Sequence, residues 1–148
     1  LPEMVVRCEL MLYMASRAQL VEERIRPALK HGALVLADRF VSSTLAYQGT
    51  AGGLDPDDIR AVARVAIDGC DPDLVVIFDV DEQTAAGRLN PLLDRMEQKG
   101  AEYHRRVRQG YLDQAQRDPA HYLVVDATQE PGRVFEDLLT GLRERLGR

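Results

Sequence analysis

The chain has 148 residues, a length that fits one domain and leaves little room for two. Hydrophobic residues make up 45% and charged residues 29%, a globular balance that argues against disorder. The formal net charge of -5 argues against a basic surface for nucleic acid. No apolar run is long enough to cross a bilayer and no signal peptide is evident, so no membrane partner is expected. Cys8 and Cys70 give neither a disulfide framework nor zinc-ligand spacing, so we expect a reducing, cytoplasmic setting.

The first half of the chain predicts a long helix, a strand and a second helix. Apolar residues with helical spacing run from about residue 3 to residue 29. Pro27 predicts a kink or the end of this helix, and Gly32 predicts a stop. The continuous apolar run of residues 33–38 predicts a buried strand of a parallel sheet. Asp55 and Pro56 predict the start of the next helix. Its core-facing stripe consists of Ile59, Val62, Ala63, Ala66 and Ile67.

The second half alternates strands and helices. Strands are predicted over residues 74–79 and 122–126, a short helix capped by Asp81 runs to Arg88, and a long helix covers residues 94–116. The last helix starts near Pro131, and its predicted buried residues are Phe135, Leu138, Leu142 and Leu146. This alternation predicts a three-layer α/β domain with a parallel sheet and helices on both faces. Ligands are then expected at the carboxyl ends of the strands.

Residues 38–49, which follow the first predicted strand, have the composition of a binding loop. Asp38 stands where phosphate-handling α/β enzymes place a magnesium-organising acid. Arg39 offers a planar, permanently charged fork that suits a phosphate. Thr44, Tyr47 and Gln48 add groups that can read a base edge or a sugar. Taken alone, an Asp-Arg pair after a strand is equally typical of a structural ion pair.

Seven segments match one known family in order and with suitable spacing: residues 12–23, 25–29, 38–49, 71–79, 94–97, 103–112 and 126–129. In these segments the chain resembles bacterial thymidylate kinase. The resemblance implies a P-loop-kinase-like sheet without its N-terminal strands, in a single partial nucleoside-monophosphate-kinase-like domain over residues 1–148. It also implies phosphoryl transfer from ATP, with Mg²⁺, to thymidine monophosphate (dTMP), giving dTDP. A homodimer through the N-terminal helix region is expected.

The resemblance assigns roles on the dTMP side. Tyr13 takes the position of the base-stacking aromatic, and Arg17, one turn further on the same helix face, would hydrogen-bond the thymine carbonyl. Arg39 would grip the acceptor phosphate, and Asp38 would help to organise magnesium and the phosphoryl acceptor. The remaining substrate-binding residues are Thr44 at the base edge, Tyr47 against the deoxyribose, where it disfavours a 2′-hydroxyl, and Gln48.

On the ATP side, residues 88–99 take the place of the family's lid, whose closure excludes water and brings cations to the transferring group. Arg88 and Arg95 are its candidate cations, and residues 89–93 between them are neutral, so the lid has few cations. Thr128 and Gln129 lie where the family's loop passes near adenine. The expected catalytic residues are Asp38, Arg39 and Arg95. The cluster of Arg105, Arg106 and Arg108 is expected to be a charged helix surface.

These residues contain no Gly-x-x-x-x-Gly-Lys-Ser/Thr motif, the loop that binds the phosphates of the donor nucleotide, so we expect this chain alone to be inactive as a kinase. We also expect that it folds poorly, rearranges or is part of a longer protein. Structural alternatives stay open at this point: Tyr13 as a core residue, Arg17 as a solvated charge and Tyr47 as a cap on the sheet edge. Two other functions also stay open. They are a non-catalytic nucleotide-binding or dimerisation module, and a relative of the deoxynucleoside kinases.

Overall fold

A computed structural model describes residues 4–88 and 100–147. The α-helices are α1 (Val6–Leu20), α2 (Arg26–Lys30), α3 (Val41–Thr44), α4 (Pro56–Ile67), α5 (Glu82–Arg88), α6 (Ala101–Arg117) and α7 (Pro131–Leu146). Two π-helical segments, Val21–Ile25 and Leu45–Ala51, follow α1 and α3. The strands are β1 (Val75–Asp79) and β2 (Tyr122–Asp126). Within these ranges, no helix combines the length and apolarity that spanning a membrane requires.

The two strands pair in parallel, as the sequence predicts. The register runs from Val75 opposite Tyr122 to Asp79 opposite Asp126. A parallel pair needs a crossover connection, and the chain between the strands contains α5 and α6. The pairing therefore places two aspartates side by side at the carboxyl end of the sheet.

The prediction of a buried strand over residues 33–38 is wrong. The segment forms no strand, and Leu34 and Leu36 are 81% and 87% exposed. In the part of the chain that the structure describes, the sheet consists of β1 and β2 alone. An extended segment becomes a strand only where a neighbour satisfies its backbone N–H and C=O groups, and an apolar pattern carries no information about that neighbour. The segment instead connects α2 to α3 and brings Asp38 and Arg39 to the cavity described below.

The first helical region continues past Pro27 to Lys30 without ending at the proline. Before Pro27 the helix widens into its π segment, in which the Arg26 N–H bonds the Val21 carbonyl. Pro27 lies in the first turn of α2, where its missing N–H costs least. The predicted stop is confirmed, since Gly32 takes a φ of +75° directly after the helix and its N–H bonds the Leu29 carbonyl.

The core packs α1 against α4. Leu10 and Met14 of α1 form a buried cluster with Ile59 and Ala63 of α4. The predicted start of α4 is confirmed, because the Asp55 carboxylate accepts a hydrogen bond of 2.8 Å from the Asp57 N–H. This core fixes the face of α1 from which the site residues project.

The last helix is less buried than its pattern predicts. Phe135 and Leu146 are 58% and 51% exposed, so their predicted burial is wrong, whereas Leu138 and Leu142 are half-buried. α7 contacts β2, and within the described residues the sheet has only two strands. A sheet of two strands covers only the middle of the apolar face of α7, so the side chains at both ends of that face stay exposed to solvent.

Helix α6 lies very close to the π-helical segment Leu45–Ala51. A Cβ atom at Gly110 would lie 2.7 Å from Thr50 Oγ1 and 3.0 Å from Ala46 Cα. Glycine weakens a helix in general, but here it permits this close approach. The contact brings the side chains of α6 next to those of residues 43–48.

Candidate functional site

A cavity of about 260 Å³ opens between α1 and the segment of residues 38–48. Its lining contains every residue predicted on the dTMP side, together with the predicted magnesium-organising acid. The lining residues are Tyr13, Ser16, Arg17, Leu20, Asp38, Arg39, Phe40, Ser43, Thr44, Tyr47 and Gln48. Two segments that are distant in sequence therefore meet at one cavity.

Arg17 joins these two segments. Its Nη1 donates to Thr44 Oγ1 at 2.7 Å, and its Nη2 donates to the Phe40 carbonyl at 2.9 Å. Its Cζ lies 5.6 Å from the centre of the Tyr13 ring and 5.8 Å from that of Phe40. Burial is the main cause that lowers the pKa of Arg17. Since Arg17 is partly buried and hydrogen-bonded, it is not the solvated charge of the structural alternative.

Tyr13 is 51% exposed, so it is not the core residue that the structural alternative supposed. The ring stands at the cavity, one helical turn before Arg17. An exposed aromatic face beside a fixed guanidinium suits a flat, polar ring.

Arg39 is held by its backbone and by two side-chain contacts. It has a φ of +69°, in the left-handed region that non-glycine residues seldom adopt. Its Nε donates to Ser43 Oγ at 3.2 Å, and its Cζ lies 4.3 Å from the centre of the Tyr47 ring. The hydrogen bond and the cation–π contact restrain the plane of an otherwise exposed guanidinium.

Two tyrosines of α6 pack against Tyr47. Tyr103 and Tyr111 each meet its ring edge to face, with centroid distances of 6.2 Å and 6.4 Å. The Tyr103 hydroxyl also donates to the Tyr47 carbonyl at 3.2 Å, and burial raises the pKa of Tyr103. Tyr47 is therefore enclosed by α6 and does not cap the sheet edge.

Sequence reasoning assigned no role to Ser43 or Tyr111. The two hydroxyl oxygens lie 2.6 Å apart, and Ser43 is 5% exposed. The available signal was the eight-residue interval between Tyr103 and Tyr111, which places both on one helix face. Only the fold, however, shows that this face points to Tyr47.

Gln48 is the remaining residue of the dTMP side. It is 5% exposed, and its Nε2 donates to Glu9 Oε2 at 3.1 Å. This bond ties Gln48, a lining residue of the cavity, to α1.

Of the predicted ATP-side residues, Arg88 at the end of α5 meets Thr128 and Gln129 in the loop after β2. Arg95 falls outside the described residues, as does all of the predicted lid of residues 88–99 except Arg88. The Arg88 guanidinium donates to the carbonyls of Ala127, Thr128 and Gln129 at 2.6, 3.1 and 3.2 Å. Arg88 therefore fastens the loop that contains the two predicted adenine-side residues.

The arginine cluster of α6 is divided between two roles. Arg105 and Arg106 are 59% and 57% exposed and pair with Glu102, which confirms the expected charged helix surface. Arg108 differs, since it donates to both oxygens of Asp79 at 2.6 and 2.8 Å. This bond raises the pKa of Arg108 and ties α6 to the carboxyl end of β1.

The described residues, 4–88 and 100–147, include no group of three His, Cys, Asp or Glu side chains that could hold a metal ion. Asp38 lies at the cavity as a single carboxylate. That arrangement fits Mg²⁺ as nucleotide enzymes use it, because the ion then takes one or two carboxylates together with phosphate oxygens.

Parallel strands joined by a helical crossover, in a chain with a pocket of arginine and aromatic side chains, are typical of the α/β proteins that bind nucleotides. The chain belongs to the thymidylate kinase family, whose family model, described as Thymidylate kinase, matches residues 2–138. Membership implies the P-loop kinase fold.

Curated relatives agree with this assignment. The chain is 45% identical over 131 residues to the thymidylate kinase of Desulforudis audaxviator, which covers 88% of this chain and 59% of the relative. It is 40% identical over 153 residues to the thymidylate kinase of Nitratidesulfovibrio vulgaris, a match that covers 97% of this chain and 71% of the relative. It is 44% identical over 141 residues to that of Deinococcus radiodurans, a match that covers 93% of this chain and 68% of the relative. The matches thus span 59% to 71% of the length of these relatives.

Proposed function

We propose that this chain supplies the acceptor-nucleotide site of a thymidylate kinase, which transfers the terminal phosphoryl group of ATP to dTMP and yields dTDP. The observation that carries the proposal is the shared cavity of Tyr13, Arg17, Arg39 and Tyr47. The support from relatives is that proteins named thymidylate kinase are 40% to 45% identical to this chain.

The base would lie between Tyr13 and the hydrogen-bonding groups of α1 and α3. Nη1 of Arg17 donates to both Thr44 Oγ1 and Met14 Sδ, whereas Nη2 uses one N–H in its bond to the Phe40 carbonyl. The second N–H of Nη2 therefore remains for a thymine carbonyl. The Thr44 hydroxyl accepts from Arg17 and keeps its own hydrogen for an oxygen of the base edge. Tyr47 would adjoin the deoxyribose and disfavour a 2′-hydroxyl.

The phosphate of dTMP would bind Arg39. With its Nε directed at Ser43, the guanidinium keeps both terminal nitrogens for two phosphate oxygens. Asp38, its neighbour at the cavity, would help to hold Mg²⁺, whose charge offsets the charge that develops on the transferred group. Arg39 positions the acceptor oxygen, and the loop fastened by Arg88 would adjoin the adenine of ATP.

The finer architecture belongs to the same proposal. A single domain over residues 1–148 with three layers is supported by the parallel β1–β2 pair and by the contacts of α6 and α7 with β2. The lid of residues 88–99 and the catalytic role of Arg95 stay predictions.

Calorimetric titration of the chain with dTMP and with thymidine tests the acceptor site. We expect dTMP to bind more tightly, and Arg39→Ala to remove most of that difference, because the guanidinium contacts only the phosphate. Arg60→Ala is the matched control, since Arg60 is an arginine of α4 that pairs with Asp57 at 2.9 Å and does not line the cavity. Equal affinity of the unchanged chain for both ligands would contradict the proposal, and tighter binding of thymidine would favour a deoxynucleoside kinase.

A dimerisation module is the second candidate function, and a specific surface favours it. An apolar groove of about 510 Å³ runs between α1 and α4. Met11 and Val65, at its edges, are 55% and 82% exposed. Exposed apolar patches of this kind typically mark protein interfaces, and two copies of the chain would pair here through the N-terminal helix region.

Sedimentation analysis tests the dimer. We expect Val65→Lys to shift the chain to monomer, while Val5→Lys, at an apolar residue that is 60% exposed and outside the groove, leaves the dimer intact. A dimer that survives Val65→Lys would place the contact elsewhere.

A further inference from the structure

We propose that Tyr111 is a positioning residue that orients Arg39 through Ser43. The inference rests on the proposed function, in which Arg39 binds the acceptor phosphate. Tyr111 itself is absent from the cavity lining, so its effect on a ligand would pass through its neighbours.

The three side chains form one hydrogen-bonded series. The Tyr111 hydroxyl lies 2.6 Å from Ser43 Oγ, and Ser43 Oγ accepts from Arg39 Nε at 3.2 Å. Ser43 accepts from Arg39 and can still donate its hydrogen to Tyr111 or accept a second bond from it. The tyrosine hydroxyl therefore fixes the direction in which the serine presents its oxygen to Arg39.

The direction of the Arg39 guanidinium matters because little else holds it. The residue is exposed, and a long arginine side chain loses up to about 2 kcal/mol of rotamer freedom when it is ordered. The Nε bond on one edge and the Tyr47 ring 4.3 Å away on one face restrict this freedom before any ligand arrives. Since Nε is used by Ser43, both terminal nitrogens stay available for bidentate contact with a phosphate.

Helix α6 supports both restraints from one residue. The Tyr111 hydroxyl meets Ser43, while its ring meets the Tyr47 ring edge to face at 81°. A residue that only filled space would act through its ring alone. The distinctive part of the proposal is therefore the hydroxyl, which a phenylalanine lacks.

Tyr111→Phe separates the two roles, because it keeps the ring and removes one oxygen. We expect the dissociation constant for dTMP to rise by about threefold to tenfold, the range that corresponds to one lost hydrogen bond, while that for thymidine changes by less than about twofold. Ser43→Ala should give a similar loss for dTMP. The double variant should lose no more than Ser43→Ala alone, because Tyr111 acts through the serine.

Tyr122→Phe is the matched control. Its hydroxyl donates to Gln114 Oε1 at 3.0 Å, and Tyr122 does not line the cavity, so neither titration should change. The inference is overturned if Tyr111→Phe weakens both ligands equally, if it weakens neither, or if its effect adds in full to that of Ser43→Ala. Arg39→Ala distinguishes the two levels. If Arg39→Ala removes the preference for dTMP and Tyr111→Phe does not, only the positioning role of Tyr111 is refuted. If Arg39→Ala has no effect, both the proposed acceptor site and the positioning role are refuted.

Discussion

The contact between Arg17 and Thr44 yields a prediction that needs no ligand. Replacing Arg17 by Met keeps much of the side-chain volume and removes the guanidinium, and replacing Thr44 by Val removes only the hydroxyl. These two variants and their combination form a double-mutant cycle for a bond of 2.7 Å between α1 and α3.

The magnitude follows from the burial of the pair. Thr44 is 1% exposed, so its hydroxyl without Arg17 would lie unsatisfied away from water. A hydrogen bond to a charged group contributes about 1.5–3 kcal/mol, and the partial exposure of Arg17 reduces this by solvent screening. We expect a coupling free energy of about 1–2 kcal/mol. Arg17→Met alone should cost more, about 2–3 kcal/mol, because the bond of 2.9 Å to the Phe40 carbonyl is also lost.

Urea denaturation of the four proteins measures the free energies of unfolding. Ser16→Ala, at the neighbouring position of the same helix, is the control and should change stability by less than about 0.5 kcal/mol. A coupling energy below about 0.3 kcal/mol, the limit within which independent sites add, would refute the inference that this bond holds α1 to α3.

Three further changes test other contacts. Gly110→Ala should lower the free energy of unfolding, measured by denaturation, by about 1–3 kcal/mol, because the added Cβ would overlap the segment after α3. Gly87→Ala is the control: a Cβ at this helical position would have no atom within 4 Å, so the substitution should stabilise the chain by about 0.5–1 kcal/mol. Asp81→Ala should destabilise near neutral pH and lose its effect as the pH falls, because hydrogen bonds from the N–H and hydroxyl of Thr84 hold the pKa of Asp81 below the ordinary carboxyl range. Arg88→Gln should speed amide hydrogen exchange in the loop after β2, whose carbonyls it holds, and leave the free energy of unfolding nearly unchanged, since Arg88 is exposed.

Each of these three predictions has an outcome that would contradict it. Equal stability of the Gly110 and Gly87 variants would show that α6 does not lie as close as described. For Asp81 the sign is fixed, since a lowered pKa in the folded state gives a contribution that is present above the unfolded pKa and lost as pH falls through the folded one. A deficit that stays constant down to acid pH, or exchange unchanged by Arg88→Gln, would contradict the assigned contacts.

Local signals predicted the elements that depend on local physics. The start of α4 was predictable because Asp55 and Pro56 satisfy and pre-form the first turn within a few residues. The strand of residues 122–126 was predictable from its apolar run and confirmed by its pairing with β1. The same kind of run at residues 33–38 gave a wrong strand, because pairing depends on a neighbour that is distant in sequence.

The candidate site shows the same division. Tyr13 and Arg17 share a helix face, so their proximity follows from spacing alone. The family resemblance predicted that Arg39 and Tyr47 belong to the same site. Ser43 and Tyr111 were missed because their contact joins residues 68 positions apart. No local pattern encodes such a contact, since it arises from the close packing that Gly110 allows.

The backbone of Arg39 sets stability against the proposed binding of an anion at a single position. Its left-handed φ of +69° strains any side chain with a Cβ by about 1–2 kcal/mol, and glycine would relieve that strain. Selection for thermal stability alone would therefore favour glycine at residue 39, whereas selection for binding of an anion would keep the arginine. An engineer who wants a hardier version of this chain should leave residue 39 untouched and seek the gain at positions remote from the cavity.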